Sequence, residues 1–171
     1  MANKALILVD FENEWQDANS DYYIGDLSKV VKNANKLISY SRKQGHKIIF
    51  IRHVEKDSEG AFAEKSENTE LIEGIDKRTS DTLITKYKIS PFYNTTLAKE
   101  LEGITEIIIC GILTNLCVRS LVNDAYDRDF KITLVSDCCQ AMDTETHDFT
   151  LKDIKATRPE VNIVNLEAFI K

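Results

Sequence analysis

The chain has 171 residues and a mass of 19.5 kDa, the size of a single domain (1–171) with one hydrophobic core. Its 43% hydrophobic and 29% charged residues are typical of a folded globular protein and exclude a disordered or fibrous chain. The net charge of -6 and the pI near 5.1 favour neither nucleic acid nor an anionic membrane as a partner, so we expect a small-molecule substrate.

Short apolar runs alternate with helical patterns along the chain. Continuous runs rich in β-branched residues, typical of strands covered on both faces, occur at 5–9, 47–51, 82–85, 107–110 and 132–135, with a weaker run at 161–164. Apolar residues spaced by 3, 4 and 7 predict an amphipathic helix from Leu27 to about Ser41, and similar patterns predict helices at 95–101, 114–127 and 145–156. This alternation predicts a Rossmann-like α/β fold of three layers, α/β/α, with about six parallel strands.

The segment 54–80 does not fit the alternation, because it is polar and rich in acidic residues. A loop of this length inside a compact domain is usually functional or disordered. We expect it to lie over the carboxyl edge of the sheet, where sites form in α/β proteins.

The apolar runs and the cysteines indicate a cytoplasmic protein. The run at 5–9 is shorter than the roughly 7–15 residues of a signal-peptide core, and no run reaches the roughly 20 residues of a membrane span. Cys110, Cys117, Cys138 and Cys139 contain no C-x-x-C pair, so we expect free thiols and no structural zinc site. The adjacent Cys138 and Cys139 have poor geometry for a disulfide between them.

Three chemically capable residues follow predicted strands. Asp10 comes directly after the first strand, Lys86 ends the third, and Cys117 follows Gly111 after the fourth. The start of a helix favours a thiolate at Cys117, because free N–H groups and the positive helix dipole are found there. Taken singly, these residues could equally be a turn aspartate, a solvated lysine and a buried core cysteine.

Taken together, the motifs resemble the isochorismatase-like cysteine hydrolases, a family that includes nicotinamidases and N-carbamoyl amidohydrolases. The resemblance covers nearly the whole chain, and its motifs are LVDF (8–11) with Trp15, TK (85–86) with SPFY (90–93), and CGILTNLCV (110–118). Ser136-Asp137 and His147 add a weaker match.

The resemblance implies a catalytic triad of Asp10, Lys86 and Cys117. In the family the thiolate attacks a carbonyl carbon, the aspartate takes the thiol proton, and the lysine favours the charged forms of both. The resemblance also implies a cis peptide bond between Ile112 and Leu113, with the N–H groups of Leu113 and Cys117 forming an oxyanion hole.

Substrate contacts are expected from Phe11, Trp15, His53 and Phe92. The nicotinamidases carry an Asp-x-His-x-x-His metal motif after the second strand, whereas this chain reads IRHVEK (51–56) and has no second histidine there. We therefore expect a metal-free enzyme without a cofactor, and a homo-oligomer because that is common in the family.

The expected function is hydrolysis of an amide or ureido C–N bond through an acyl intermediate on Cys117. Vinyl-ether cleavage of isochorismate is the alternative within the family, and a catalytically silent small-molecule-binding protein is the alternative from another class. A nucleotide-binding doubly wound domain is disfavoured, because the first strand leads into the acidic segment 10–14 and not into a glycine-rich phosphate loop.

Overall fold

The computed structural model describes residues 3–171, and its central element is a sheet of six parallel strands. The strands are β1 Lys4–Val9, β2 Lys47–His53, β3 Thr82–Lys86, β4 Glu106–Ile112, β5 Lys131–Gln140 and β6 Asn162–Val164. Their spatial order is β3-β2-β1-β4-β5-β6. Each predicted apolar run overlaps one strand, so the predicted α/β fold with six parallel strands is confirmed.

Helices cover both faces of this sheet. They are α1 Ser28–Lys43, α2 Leu97–Glu100, α3 Arg119–Tyr126, α4 Thr144–Thr157 and α5 Leu166–Ile170. α1 connects β1 to β2, and α3 connects β4 to β5 in the opposite direction along the sheet. Because parallel crossovers are right-handed, α1 and α3 lie on opposite faces and produce the predicted three layers.

Two predicted helices differ from those observed. The segment predicted as one helix over 114–127 consists of a π-helical turn, Thr114–Val118, followed by α3. The predicted helix at 95–101 forms the single turn α2, and α5 was not predicted. No helix among residues 3–171 is long and apolar enough to cross a membrane.

The connections from β1 and β4, which are neighbours at the centre of the sheet, lead in opposite directions. In open α/β sheets such a switch point forms a crevice at the carboxyl ends of the strands, where ligands bind. Gly111 of β4 pairs with Val9 of β1, has φ of 145°, and would place a Cβ 2.2 Å from the Val9 carbonyl oxygen. Only glycine therefore lets the two strands approach each other beside the crevice.

The segment 54–80 packs over this carboxyl edge, as predicted. It carries a 3-10 turn, Glu67–Thr69, and short bridges pair Leu71 with Glu12 and Ala63 with Glu55. Phe62 is buried within it, and Arg42 of α1 forms an ion pair with Asp76 at 2.5 Å. The segment is thus an ordered cover attached to the sheet edge and to α1.

Candidate active site

Asp10 is placed by the point at which β1 leaves the sheet. Its φ of 52° lies in the left-handed region, where aspartate is tolerated better than most side chains. Its N–H donates to the Ile51 carbonyl at 3.0 Å, and its carbonyl accepts from the Trp15 indole N–H at 2.8 Å. The carboxyl group is fully buried, and neither oxygen has a hydrogen-bond donor of good geometry among residues 3–171.

Lys86 connects Asp10 to Cys117. It is the last residue of β3, and its side chain extends past the end of β2 toward the ends of β1 and β4. Its Nζ lies 2.8 Å from Asp10 Oδ2 and 3.2 Å from Cys117 Sγ. The side chains of Lys86 and Asp10 have no exposed surface, so this is a buried ion pair in contact with a thiol.

Cys117 lies in the π-helical turn that follows β4. The Leu113 carbonyl, which precedes the turn, accepts from the N–H groups of Leu116 at 3.1 Å and Val118 at 3.2 Å, and the Ile112–Leu113 peptide bond is cis. Single π-helical turns are rare and often occur at functional sites. The turn places the thiol before the start of α3, over the carboxyl edge of the sheet.

A second contact attaches this turn to α4. The Thr114 hydroxyl is buried and lies 2.8 Å from Nδ1 of His147. The weaker sequence match at His147 thus corresponds to a residue of α4 that contacts the turn containing Cys117.

Burial and charge set the protonation of the three groups. Burial raises the pKa of Asp10 above its usual value, although Lys86 opposes the shift. Burial lowers the pKa of Lys86, but the charges of Asp10 and Cys117 outweigh it and the pKa ends above its usual value. For Cys117, burial and then the charge of Asp10 raise the pKa, and Lys86 offsets them only in part. The effect of the helix start, which favours a thiolate at Cys117, is therefore opposed here by burial and by the charge of Asp10.

Aromatic rings form a wall beside Asp10. The Trp15 ring centroid lies 5.1 Å from that of Phe62 and 6.2 Å from that of Tyr22, and the His53 ring lies 5.2 Å from Phe62. Trp15 and His53 were predicted as substrate contacts, and the structure brings both to this edge of the sheet. Phe62 was not predicted; as the only aromatic residue in the polar segment 54–80, it offered a signal.

The structure does not bring the other two predicted contacts to this wall. Phe11 is fully buried in the core, and its carbonyl accepts from the Ile72 N–H of segment 54–80 at 2.9 Å. Phe92 stacks on Arg128 at 4.3 Å, and Arg128 follows the far end of α3, away from Cys117.

Sequence reasoning also missed Glu12. Its side chain is fully buried, and one carboxylate oxygen accepts a hydrogen bond from the His53 N–H. Its position two residues after Asp10 was a signal. A charged side chain so close to the end of a buried strand must lie at the same edge of the sheet as Asp10, or its charge must be neutralised.

Within residues 3–171, neither the other cysteines nor the side chains able to bind metals form a second reactive centre. Cys110, Cys138 and Cys139 are free and buried, and burial raises the pKa of each of them. Burial, followed by the charge of Lys86, lowers the pKa of His53 to about 4, so its imidazole is neutral at pH 7. No group of three or more His, Cys, Asp or Glu side chains within residues 3–171 is arranged to hold a metal ion.

Comparison with known proteins places these features in one family. Residues 4–164 match the family model described as the isochorismatase domain. The ureidoacrylate amidohydrolase RutB of Acinetobacter baylyi is 27% identical over 187 residues, covering 88% of this chain and 76% of that protein. A probable inactive nicotinamidase of Arabidopsis thaliana is 25% identical over 173 residues, covering 90% of this chain and 88% of that protein.

The fold is also found among solved structures. A cysteine hydrolase from Pseudomonas syringae superposes with a TM-score of 0.90, at 22% identity, covering 98% of this chain and 91% of that chain. At this identity the likeness is one of fold, and it extends over the whole sheet and its helices.

Proposed function

The chain belongs to the isochorismatase family of hydrolases, and on that premise we propose that it hydrolyses an amide or ureido C–N bond of a small molecule through an acyl intermediate on Cys117. One observation carries the proposal: the Lys86 ammonium lies 2.8 Å from Asp10 Oδ2 and 3.2 Å from Cys117 Sγ at the switch point of the sheet. A cation in contact with both a nucleophile and a base supplies the groups that acyl transfer to a thiol requires.

In the first half of the reaction Asp10 acts as the general base. Its carboxylate takes the Cys117 thiol proton as Sγ attacks the substrate carbonyl carbon, and Oδ1 is free to accept because it has no donor within residues 3–171. The raised pKa of Asp10 makes it a stronger base than an exposed carboxylate. Lys86 stabilises the negative charge while it moves from oxygen to sulfur.

The tetrahedral oxyanion is received by the backbone N–H groups of Leu113 and Cys117. Asp10 then returns its proton to the leaving nitrogen, the C–N bond breaks, and a thioester remains on Cys117. In the second half, Asp10 takes a proton from water, the hydroxide attacks the thioester, and the proton returns to sulfur. The products are a carboxylic acid, or a carbamic acid from a ureide, and ammonia or an amine.

The test is ammonia release from a panel of primary amides and monosubstituted ureas, with matched variants. Cys117→Ala, Asp10→Asn and Lys86→Met should each lower turnover by at least about a thousandfold, because each removes part of one unit. Cys138→Ala, which removes a buried thiol outside the site, is the control and should retain turnover. No turnover of any amide or urea would favour a silent member, and cleavage of isochorismate alone would favour a vinyl-ether hydrolase.

We propose further that turnover needs no metal or cofactor. The support is the sequence after His53, which lacks the second histidine of the nicotinamidase motif, and a mechanism in which N–H groups stabilise the oxyanion. Turnover should survive exhaustive chelation with metal content measured on the same sample. Loss of turnover that zinc, iron or manganese restores stoichiometrically would show that a metal is required.

A cytoplasmic location and a homo-oligomer complete the proposal. Free thiols at all four cysteines support a reducing compartment. Leu116, which is 44% exposed beside Cys117, and Phe149, which is 64% exposed on α4, are apolar side chains that a second copy could cover. Light scattering after size exclusion tests the assembly, and a monomer at all concentrations would contradict it.

A further inference from the structure

The π-helical turn after β4 changes the hydrogen bonding of one backbone N–H group. In a regular α-helix the Leu113 carbonyl would accept from the N–H of Cys117, four residues later. Here it accepts from the N–H groups of Leu116 at 3.1 Å and Val118 at 3.2 Å instead. The Cys117 N–H is therefore not bonded to this carbonyl, and it is one of the two donors of the proposed oxyanion hole.

The π-helical form of this turn needs support from outside its own backbone. Such turns are rare, and an α-helical turn over the same residues would bond the Cys117 N–H to the Leu113 carbonyl. Because α3 follows directly at Arg119, the regular pattern has only to extend by one turn to include Cys117. A contact that holds Thr114–Val118 in the π-helical form therefore also keeps the Cys117 N–H available.

One such contact reaches the first residue of the turn from α4. Thr114 is fully buried, and its hydroxyl oxygen lies 2.8 Å from Nδ1 of His147. Either tautomer of the imidazole makes this hydrogen bond, because a hydroxyl group both donates and accepts. A buried hydroxyl that loses its partner is costly, so this bond holds the start of the turn against α4.

His147 is itself held in place by the capped end of α4. It lies in the first turn of this 14-residue helix, whose N-cap residue Asp143 accepts from the Thr146 N–H through its side chain at 2.7 Å. The His147 N–H donates to the Asp143 carbonyl at 3.1 Å. The imidazole thus projects toward the turn from a fixed helix end.

We propose that His147 is a positioning residue for the oxyanion hole. Its hydrogen bond to Thr114 holds the turn in the π-helical form, which leaves the Cys117 N–H free for the substrate oxyanion. His147 does not touch the reacting atoms in this role and acts through Thr114. The inference rests on the proposed function, and it adds a residue of α4 to a site otherwise built at the ends of β1, β3 and β4.

Two matched pairs of substitutions test the hydrogen bond. Thr114→Val removes the hydroxyl and keeps the shape of the side chain, whereas Thr114→Ser keeps the hydroxyl. His147→Leu removes the ring nitrogen, whereas His147→Asn places an amide group near the position of Nδ1. Thr150→Val is the control, because it removes a buried hydroxyl that bonds within α4, to the Thr146 carbonyl at 2.7 Å.

Amide turnover should separate these variants by the hydrogen bond that they keep or lose. Thr114→Val and His147→Leu should each lower kcat by about 10- to 100-fold and leave KM within about threefold, because a displaced oxyanion donor weakens binding of the transition state alone. Thr114→Ser, His147→Asn and Thr150→Val should keep kcat within about threefold of wild type, since they keep the bond. The double variant of Thr114→Val and His147→Leu should be no slower than the slower single variant, because both substitutions remove the same bond.

Nuclear magnetic resonance of protein labelled with nitrogen isotope in its cysteines follows the turn without any turnover. The Cys117 amide signal should move in Thr114→Val and in His147→Leu, and it should lie close to its wild-type position in Thr114→Ser and His147→Asn. The amide signal of Cys110, which lies within β4, should stay in place and report an intact fold.

A wild-type kcat in Thr114→Val, equal losses of kcat in Thr114→Val and Thr114→Ser, or a Cys117 signal that Thr114→Val does not move would overturn the inference. The proposed function fails separately, when wild-type protein hydrolyses no amide or urea. The Cys117 signal alone then supports or overturns the coupling of His147 to the turn.

Discussion

Substitutions in the buried ion pair between Asp10 and Lys86 should affect the free energy of unfolding and the turnover in different ways. Asp10→Asn leaves the Lys86 ammonium buried without a counter-charge, and Lys86→Met leaves the Asp10 carboxyl group buried without its cation. Removing both replaces the two charges with uncharged side chains of similar size. The single variants are therefore expected to be less stable than the double variant.

The size of the effect follows from burial. Both side chains are 0% exposed and their charged atoms are 2.8 Å apart, so each single substitution should lower the free energy of unfolding by about 3–5 kcal/mol. A buried pair replaced by uncharged groups is often neutral, so the double variant should lie within about 1 kcal/mol of wild type. Turnover of the double variant should nevertheless stay as low as that of either single variant, because the residues act as one unit.

Urea unfolding followed by the fluorescence of Trp15, the only tryptophan, measures these differences. Lys47→Met is the matched control, because it breaks a partly exposed ion pair with Glu100 at 2.7 Å and should cost no more than about 1 kcal/mol. Single variants as stable as this control, or a double variant whose loss is the sum of the single losses, would refute the interpretation of a buried, coupled pair.

Three further predictions follow from the geometry. Gly111→Ala should lower the free energy of unfolding measured in urea by about 2–4 kcal/mol, because the added Cβ would lie 2.2 Å from the Val9 carbonyl oxygen. The control is Gly103→Ala, where an added Cβ meets no atom within 4 Å, and an equally small loss in both variants would contradict the close approach of β4 to β1. Iodoacetamide should label Cys117 first among the four thiols, at a rate that still rises above pH 9 because its pKa is raised, and earlier labelling of another cysteine in peptide mass spectra would contradict the assignment. The pKa of His53 is lowered from 6.5 to about 4, so below pH 6.5 the unfolded chain binds a proton that the folded protein does not, and stability should fall from pH 6.5 toward 4. His53→Gln should flatten this dependence of the free energy of unfolding on pH in urea titrations, and an unchanged slope would contradict the lowered pKa.

The sheet could be predicted from sequence because its strands are short, continuous and apolar. The run at 107–110, for example, has no polar alternation and occupies the centre of the sheet as β4. The π-helical turn Thr114–Val118 could not be separated from α3, since an i to i+5 turn leaves no distinct apolar spacing over five residues. α5 spans only Leu166–Ile170, which is too short for a periodic signal.

The site was predictable only where strand ends determine it. Asp10, Lys86 and Cys117 could be placed together because parallel strands end at the same edge. The protonation of Cys117 could not, because it depends on burial and on the distance to Asp10, neither of which a helix-start argument contains. The hydrogen bond from the His53 N–H to the Glu12 side chain could not be predicted, because it depends on where β1 leaves the sheet.

A covalent acyl intermediate on Cys117 is the central prediction of the proposed function. Wild-type protein mixed with an amide substrate and quenched in acid should carry the mass of the acyl group on the peptide that contains Cys117. The adduct should be absent from Cys117→Ala and present in Cys138→Ala. Turnover that persists in Cys117→Ala, or an acyl group found on another residue during turnover, would contradict the account.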